Sequence, residues 1–382
     1  MKPVLIYVQH LLGIGHLKRI ESIAKAMAER GITVVIISGG IDKPQVVHKN
    51  LVLKLLPGIK TDSAFNGLYD SKGNPVTAAL KQKRTHLIIQ ILKQTNPGFV
   101  LIETFPFGRR QMRFELLPLL EYCRTKLPVS PQIACSIRDI IQPKDNPERN
   151  DEIITQIDRY FDHILVHGDQ NIITFDETFP QCYRFSEKIS YTGYVSVNRR
   201  SKTIRSINSQ TIIVSAGGGA VGEALYTTAI KAAISMEKNG DNRFRWHILV
   251  GNNIPKNTFE KLIRFQTPTI KIEFNRTDFF ELLEQAALSI SQAGYNTAMD
   301  ILNAGVKSIV VPFEGIGERE QLIRARLLEN LGLVRLVREK SLSPETLIKN
   351  IDQISKDHKQ GYLSNINLDG ATNTAKLAFK YL

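Results

Sequence analysis

The chain has 382 residues, 42% of them hydrophobic, with 50 Lys and Arg against 37 Asp and Glu. That length exceeds one ordinary domain and suits two, and no apolar run approaches the ~18 residues that a membrane-spanning helix needs. Three widely spaced cysteines, Cys123, Cys135 and Cys182, speak against both a disulfide framework and a CxxC zinc site.

Both halves are basic: residues 1–200 hold 27 Lys and Arg against 19 Asp and Glu, and residues 201–382 hold 23 against 18. There is no Lys/Arg block or arginine-rich tail of the kind that binds nucleic acid. An anionic small ligand or a phospholipid surface accounts for the balance at least as well. The amino-terminal run is broken by Gln9, His10, Gly13 and Gly15 and has no small-residue cleavage site. It therefore reads as a buried strand and not as a signal peptide, so the expected location is cytoplasmic, with the basic charge leaving peripheral contact at the inner face of the membrane as an open expectation.

In chain order, Pro3 to Val8 is a strand and residues 9–15 are a loop with two glycines, Gly13 and Gly15. A helix from His16 to Arg30 follows, and Thr33 to Ile37 is the next strand. The loop is not a dinucleotide fingerprint, because Lys18 stands where a third glycine would be. His16 opens the helix, where the dipole disfavours its protonation and keeps a neutral base available. Residues 41–75 are less regular, with one strand in LVLKLLPGIK and then turn-rich residues. A helix spans 77–95 and a strand 99–103. The next loop, TFPFGRRQMRFE, carries Arg109, Arg110 and Arg113 beside Phe105 and Phe107, as a solvated loop, an acceptor rim or a lipid-headgroup contact. Helix 114–126, strand 132–137, helix 148–160 and strand 163–168 lead to Tyr191–Val195, which closes a first domain of residues 1–196. Residues 197–210 form a polar, basic linker.

The second domain, residues 211–364, restarts with a strand, three glycines and a helix in TIIVSAGGGAVGEAL. Strands at 244–251 and 269–274 follow. Strand 288–291, helix 297–303 ended by Gly305, strand 308–312 and a helix from Glu318 to Asn330 complete a parallel α/β unit. The tail from Ser343 is helical, and residues 365–382 pack back toward the first domain. In such sheets ligands sit at the carboxyl ends of strands and the amino ends of helices. Ser215, Gly217, Gly218 and Gly219 lie at one such place, where glycines let backbone N–H groups approach a pyrophosphate. Ser291, Gln292, Gly294, Asn296, Thr297 and Asp300 form a second cluster. The Asp300 carboxylate, an acceptor-only group, suits paired ribose hydroxyls. Glu320 and Gln321 open the next helix, within reach of sugar hydroxyls.

The motifs GIGHLKR, FPFGRR, RDI, VHGD, YTGYV and the triple-glycine loop occur in this order over nearly the whole chain. The sequence resembles the GT-B glycosyltransferases of family 28, and more narrowly a set of poorly characterised bacterial members. The resemblance implies an α/β chain of two Rossmann-like domains facing a central cleft. It also implies inverting, metal-independent transfer of a hexose or N-acetylhexosamine from a UDP-sugar to a lipid-linked or glycan acceptor. UDP-sugar is then the donor substrate, and no cofactor or metal is expected. By position, Gly217–Gly219 lie at the diphosphate, Phe274 and Asn275 against uracil, and Asp300 on the ribose. Glu320 and Gln321 touch the sugar, and His16 faces the reacting centre as base. Gly13, Gly15, Arg109 and Arg110 are on the acceptor side. Asp300 and Glu320 depart from the Glu and Gln usual there, and the first loop has fewer glycines. Two other readings stand beside transfer. One is an epimerase or hydrolase of UDP-N-acetylglucosamine using strand-end carboxylates Glu103, Asp139 and Asp169; the other is a non-catalytic nucleotide-sugar-binding protein.

Overall fold

The computed structural model describes residues 1–11, 15–61, 67–141, 146–196, 210–218, 221–315, 319–356 and 366–382. Two compact units emerge: Met1–Ser196 together with Asn367–Leu382, and Val197–Ile366. The linker expected at 197–210 lies, apart from Gln210, outside the described residues.

The first unit runs β1 (Val4–Val8), α1 (Gly15–Glu29), β2 (Val34–Ser38), β3 (Leu51–Leu55), β4 (Ile59–Thr61), β5 (Leu68–Asp70), α2 (Ala78–Thr95) and β6 (Phe99–Glu103). It continues through α3 (Arg113–Thr125), β7 (Gln132–Arg138), α4 (Pro147–Tyr160), β8 (His163–His167) and β9 (Ile189–Tyr191). Among the described residues seven strands form one parallel sheet in the order β3-β2-β1-β6-β7-β8-β9. Helices cover both faces of such a sheet, so its inner strands are apolar throughout; β1, β2 and β6 are buried at every position. The irregular stretch differs from expectation. The single strand expected in LVLKLLPGIK is two: β3 joins the sheet edge, while β4 turns away to form an antiparallel hairpin with β5. Pro57 and Gly58 divide them, since Pro cannot donate to a continuing ladder.

The second unit runs β10 (Thr211–Ser215), α5 (Glu223–Lys238), β11 (Arg245–Val250), α6 (Lys256–Leu262), β12 (Ile270–Phe274), α7 (Phe279–Gln285) and β13 (Leu288–Ser291). It ends with α8 (Tyr295–Ala304), β14 (Ser308–Val310), α9 (Glu320–Asn330), β15 (Arg335–Leu336) and α10 (Pro344–Lys356). Its parallel sheet has the order β12-β11-β10-β13-β14-β15. Gly305, in the left-handed region at φ 62°, stops α8 as expected. The short strand β15 has no counterpart in the sequence reading. Two residues are too few for a hydrophobic period to register. No helix among the described residues is long and apolar enough to cross a membrane.

The last helix, α11 (Gly370–Lys380), belongs to the first unit. Its Ala375 and Ala378 pack in one cluster with Ile20, Ile23, Ala24 and Met27 of α1. The returning chain is fixed by polar contacts as well. The Asn367 backbone N–H donates to Asp169 Oδ2 (2.9 Å), and the Asn373 amide donates to the Thr192 carbonyl (2.9 Å). Gly370 lies so close that an added Cβ would stand 2.3 Å from the Gly193 oxygen.

Beneath the carboxyl end of β1 lies a fully buried ion pair. Arg84 donates to both oxygens of Glu115 (2.7 and 2.6 Å), to Gln9 Oε1 (2.8 Å), and to the carbonyls of Gly39 and Pro57. Tyr7 closes the network on Glu115. One guanidinium thus ties the ends of β1 and β2 to the start of the hairpin. Replacing it by Met leaves a buried carboxylate without its cation, which costs about 3–5 kcal/mol. Arg84→Met should lower the urea midpoint accordingly, and adding Glu115→Gln should recover part of the loss; urea titrations of both variants check this.

Candidate active site

In each sheet the chain adds strands outward on one side and then crosses to the other. The reversal falls between β1 and β6 in the first unit, and between β10 and β13 in the second. Loops leaving two neighbouring strands in opposite directions open a crevice at their carboxyl ends, the usual ligand position in open parallel sheets. Several of the polar side chains singled out in the sequence lie at these two places, while Arg110 and Asn275 do not.

At the first, α1 presents His16 in its first turn and β6 ends on Glu103. His16 Nδ1 stands 2.7 Å from Glu103 Oε1. A carboxylate only accepts, so Nδ1 carries the proton and Nε2 keeps its lone pair. Glu103 is fully buried and also receives Arg19 from the next turn of α1. Burial pushes its carboxyl up; the His16 N–H and the Arg19 cation outweigh that and hold it well below the usual carboxylate range. Burial takes His16 down to about 3, with Arg109 and Arg138 lowering it further and Glu103 pulling against them. The imidazole is therefore neutral at physiological pH. The helix dipole invoked from the sequence is not the main reason: desolvation and two guanidiniums are.

The loop after β6 is tight. Thr104 and Arg109 both adopt left-handed backbone conformations (φ 68° and 60°), uncommon for non-glycine residues and typical of functional loops. Thr104 Oγ1 is 3.4 Å from His16 Nδ1, and Arg109 donates its Nε–H to the Gln9 carbonyl at 2.7 Å. Arg138, at the end of β7, brings Nη2 to 3.5 Å from His16 Nε2. The aromatic part of this loop does something else. Phe105 and Phe107 are buried, with Phe107 set edge-on to Phe175 and Phe179, so neither forms an acceptor rim or a headgroup contact. Arg110 is exposed and 3.8 Å from Glu152, apart from the His16 group. Gly15 is the first residue of α1, whereas Gly13 lies outside the described residues.

At the second place, Ser215 ends β10 and its hydroxyl accepts the Gly217 N–H (3.1 Å). Gly217 has φ 66°, so a side chain there is strained, while a Cβ on Gly218 or Gly294 would meet nothing within 4 Å. A Cβ on Gly217 would be 3.8 Å from Thr297 Oγ1, which sets the glycine turn beside the first turn of α8. Asn296 and Asp300 are half-buried on the same helix. Gly219 lies outside the described residues. Gln292 is buried, and its amide donates to the Val221 carbonyl (3.2 Å). Gln321 Oε1 accepts two backbone N–H groups, from Ala293 and Phe313 (both 3.1 Å). It joins the loops after β13 and β14. Glu320 pairs with buried Arg324 (2.9 Å), which also donates to the Ala293 carbonyl and lies over Tyr295. Phe274 is 44% exposed at the end of β12 and stacks face to face on Phe259 (3.9 Å between centroids), so one ring face is covered. Asn275 holds the strand end through its N–H on the Val250 carbonyl (2.8 Å).

Three contributors escaped the sequence reading. Arg138 stands in the sequence only as part of the RDI motif, with no role attached, and Arg324 carried no local signal, since a lone arginine on a helix reads as solvated. Tyr226 accepts backbone N–H groups of Ala216 (3.2 Å) and Gly251 (3.0 Å), tying the ends of β10 and β11. The strand-end carboxylates are also reassigned. Glu103 orients His16; Asp139 accepts from Tyr194 (2.8 Å), and Asp169 from Asn171 and Asn367. His167 is buried between Ser136 and Thr192 (2.8 Å each). No three His, Cys, Asp or Glu side chains among the described residues cluster as metal ligands.

Residues 211–380 match the family description "Glycosyltransferase family 28 C-terminal domain". A curated relative from Clostridium novyi, a UDP-N-acetylglucosamine–N-acetylmuramyl-(pentapeptide) pyrophosphoryl-undecaprenol N-acetylglucosamine transferase, is 24% identical over 157 residues. That match spans 41% of this chain and 42% of the relative. The chain thus spans less than half the length of that relative. Two solved structures align over nearly the whole chain. MurG of Acinetobacter baumannii has a TM-score of 0.61 at 14% identity, covering 99% of each chain. The UDP-GlcNAc 2-epimerase from Methanocaldococcus jannaschii has a TM-score of 0.62 at 13% identity, covering 100% of each chain. The fold is that of the GT-B glycosyltransferases and of such epimerases.

The state of His16 is measurable. Its folded value of about 3 lies below the unfolded ~6.5. The unfolded chain therefore binds the extra proton between those limits, and stability falls as pH drops through that window. From pH 7.5 to 5 this one group should remove about 2 kcal/mol. His16→Gln should flatten that slope in urea unfolding by about the same amount.

Proposed function

We propose that this chain, whose residues 211–380 carry the family 28 C-terminal domain, is a glycosyltransferase. It moves a hexose or N-acetylhexosamine from a UDP-sugar to a lipid-linked or glycan acceptor, with inversion and without a metal ion. The observation that carries the reading is that domain match, because the glycine turn of Gly217 and Gly218, the start of α8 and the start of α9 all lie within it.

In this reading the second unit holds the donor. Backbone N–H groups of the glycine turn and the amino end of α8 take the diphosphate and offset its charge as it leaves. Asp300 takes the ribose, Glu320 and the Gln321 amide the sugar, and the free face of Phe274 the base. The first unit supplies the proton acceptor. His16 Nε2 takes the proton of the acceptor hydroxyl as that oxygen bonds to the anomeric carbon. The bond from that carbon to the diphosphate oxygen breaks, and UDP departs with the electron pair. Glu103 keeps the proton on Nδ1 and steadies the imidazolium that forms. The basic balance of the chain supports peripheral contact with an anionic cytoplasmic membrane face, where a lipid-linked acceptor would be met.

Epimerisation or hydrolysis draws support from the shared fold alone. It calls for several uncommitted carboxylates, and Asp139 and Asp169 are engaged in holding loops. A non-catalytic binding protein would have no need of an oriented neutral imidazole, which favours transfer.

Two measurements test the proposal. Gly218→Trp, placed where the structure is open, should weaken UDP binding in calorimetry by more than about tenfold, the equivalent of 1.4 kcal/mol, without lowering Tm. Equal affinity in both proteins would remove the donor site. His16→Gln should reduce transfer by about 10²–10⁴-fold with UDP affinity unchanged, the range of a lost general base. Sugar loss from the donor at equal rate with and without acceptor would replace transfer by hydrolysis.

A further inference from the structure

We infer that β3 is a docking edge for a second copy of this chain, which adds its own β3 antiparallel across a two-fold axis and joins the two seven-stranded sheets into one. The amide hydrogens on the open side of an edge strand either find a partner within the chain or are left for another chain. In β12 the outward N–H of Ile272 goes to Gln266 Oε1 (3.0 Å), and in β15 that of Leu336 goes to Glu329 Oε1 (2.8 Å). In β9 the Ile189 N–H is taken by the Ser186 carbonyl of the preceding turn. The edge at β3 differs. The Asn50 carbonyl accepts from Val34 and the Leu56 N–H donates to Ser38, so the backbone groups of the even-numbered residues face β2. Those of Leu51, Leu53 and Leu55 face outward. The Leu51 N–H turns back to the His48 carbonyl (3.0 Å), whereas those of Leu53 and Leu55 have no partner among the described residues.

The strand matches itself. Pairing centred on Leu53 lets Leu53 exchange both backbone bonds with its copy and gives each Leu55 N–H the opposite Leu51 carbonyl. On the face toward α1, where Leu51 and Leu53 are half-covered, leucine then meets leucine at every position. On the other face Lys54, the one charge in the strand, lies opposite Val52 and not opposite another lysine. Apolar exposure at both ends points to a copy and not to an unrelated segment. Val47, just before the strand, is 90% exposed. Leu55 is 45% exposed at the far end, where Ile41, 40% exposed, lies against Gly58. Antiparallel pairing of like edges sets the Val47 end of one copy against the Leu55 and Ile41 end of the other, and does so twice. Charge opposes the contact: residues 41–60 carry Lys43, Lys49, Lys54 and Lys60 against Asp42 alone, so two copies repel until salt screens them. A short edge is a small interface, and the dissociation constant expected is on the order of 10 µM. The crevice between β1 and β6 lies inward of β2, so the association does not depend on what that crevice binds.

Sedimentation velocity of the full-length protein tests the pairing. The 43.0 kDa chain should pass from monomer to dimer as its concentration rises through that value, and added salt should tighten the dimer. Leu55→Lys should weaken it by at least about tenfold, because a lysine then faces the basic edge of the other copy. Val47→Lys should do the same at unchanged Tm; it lies outside any strand and decides the matter if Leu55→Lys lowers Tm. Val52→Glu sets a carboxylate opposite Lys54 of the second copy and should tighten the dimer about threefold or more at low salt. Adding Lys54→Gln should erase that gain. A chain that stays monomeric at every concentration and salt overturns the proposal. So does a dimer that Val47→Lys and Leu55→Lys both leave intact, which would lie on another surface. A dimer loosened by salt, or weakened by Val52→Glu, overturns the antiparallel pairing of like edges.

Discussion

The polar cluster at the carboxyl end of β6 depends on one buried carboxylate. Glu103 closes a strand that is apolar to its last residue, and leaving a lone anion there would be prohibitively costly. Arg19 compensates its charge, and the His16 N–H takes another position around it. Because Arg19 and His16 lie one turn apart on α1, the contact that settles Glu103 also sets the tautomer and direction of the imidazole. Stabilising the carboxylate and aiming the imidazole are a single arrangement.

The second unit handles its polar groups differently. There the side chains are spent on backbone: Gln321 on two amides, Arg324 on a carbonyl, Gln292 on the loop after the glycines, Tyr226 on the ends of two strands. Loops at a sheet edge otherwise leave donors and acceptors unsatisfied, and such loops drift. Capturing them with side chains from α5 and α9 holds the open ground around Gly218 and Gly294 in shape. The family 28 C-terminal match covers this region.

Much of this was legible in the residues. Strands buried on both faces show as unbroken apolar runs, as in VLIYV, TVVII and FVLIE, and their alternation with amphipathic helices identifies parallel α/β units. His16 and the glycine turn are legible because they occupy the ends of such elements. What stayed hidden depends on contacts between distant segments. Nothing near Glu103 in the chain distinguishes a positioning group from an acid catalyst; only the arrival of α1 does. The aromatics of FPFGRR read as surface groups beside arginines, yet they fill the space under the returning 175–185 stretch. The β4–β5 hairpin was missed because three-residue strands carry too little period to stand out from the surrounding turns.

The return of α11 to the first unit has a bearing on how the molecule is made. The ribosome delivers residues in order, at ~5–20 per second, so the helix that backs α1 emerges only after the entire intervening unit has been translated. Until then the apolar face of α1 formed by Ile20, Ile23 and Met27 lacks part of its cover, and the imidazole two turns away rides on a half-seated helix. Completion of the first unit is thereby postponed until the second has been made, and a chain that stops before Gly370 would carry α1 with that face part-covered.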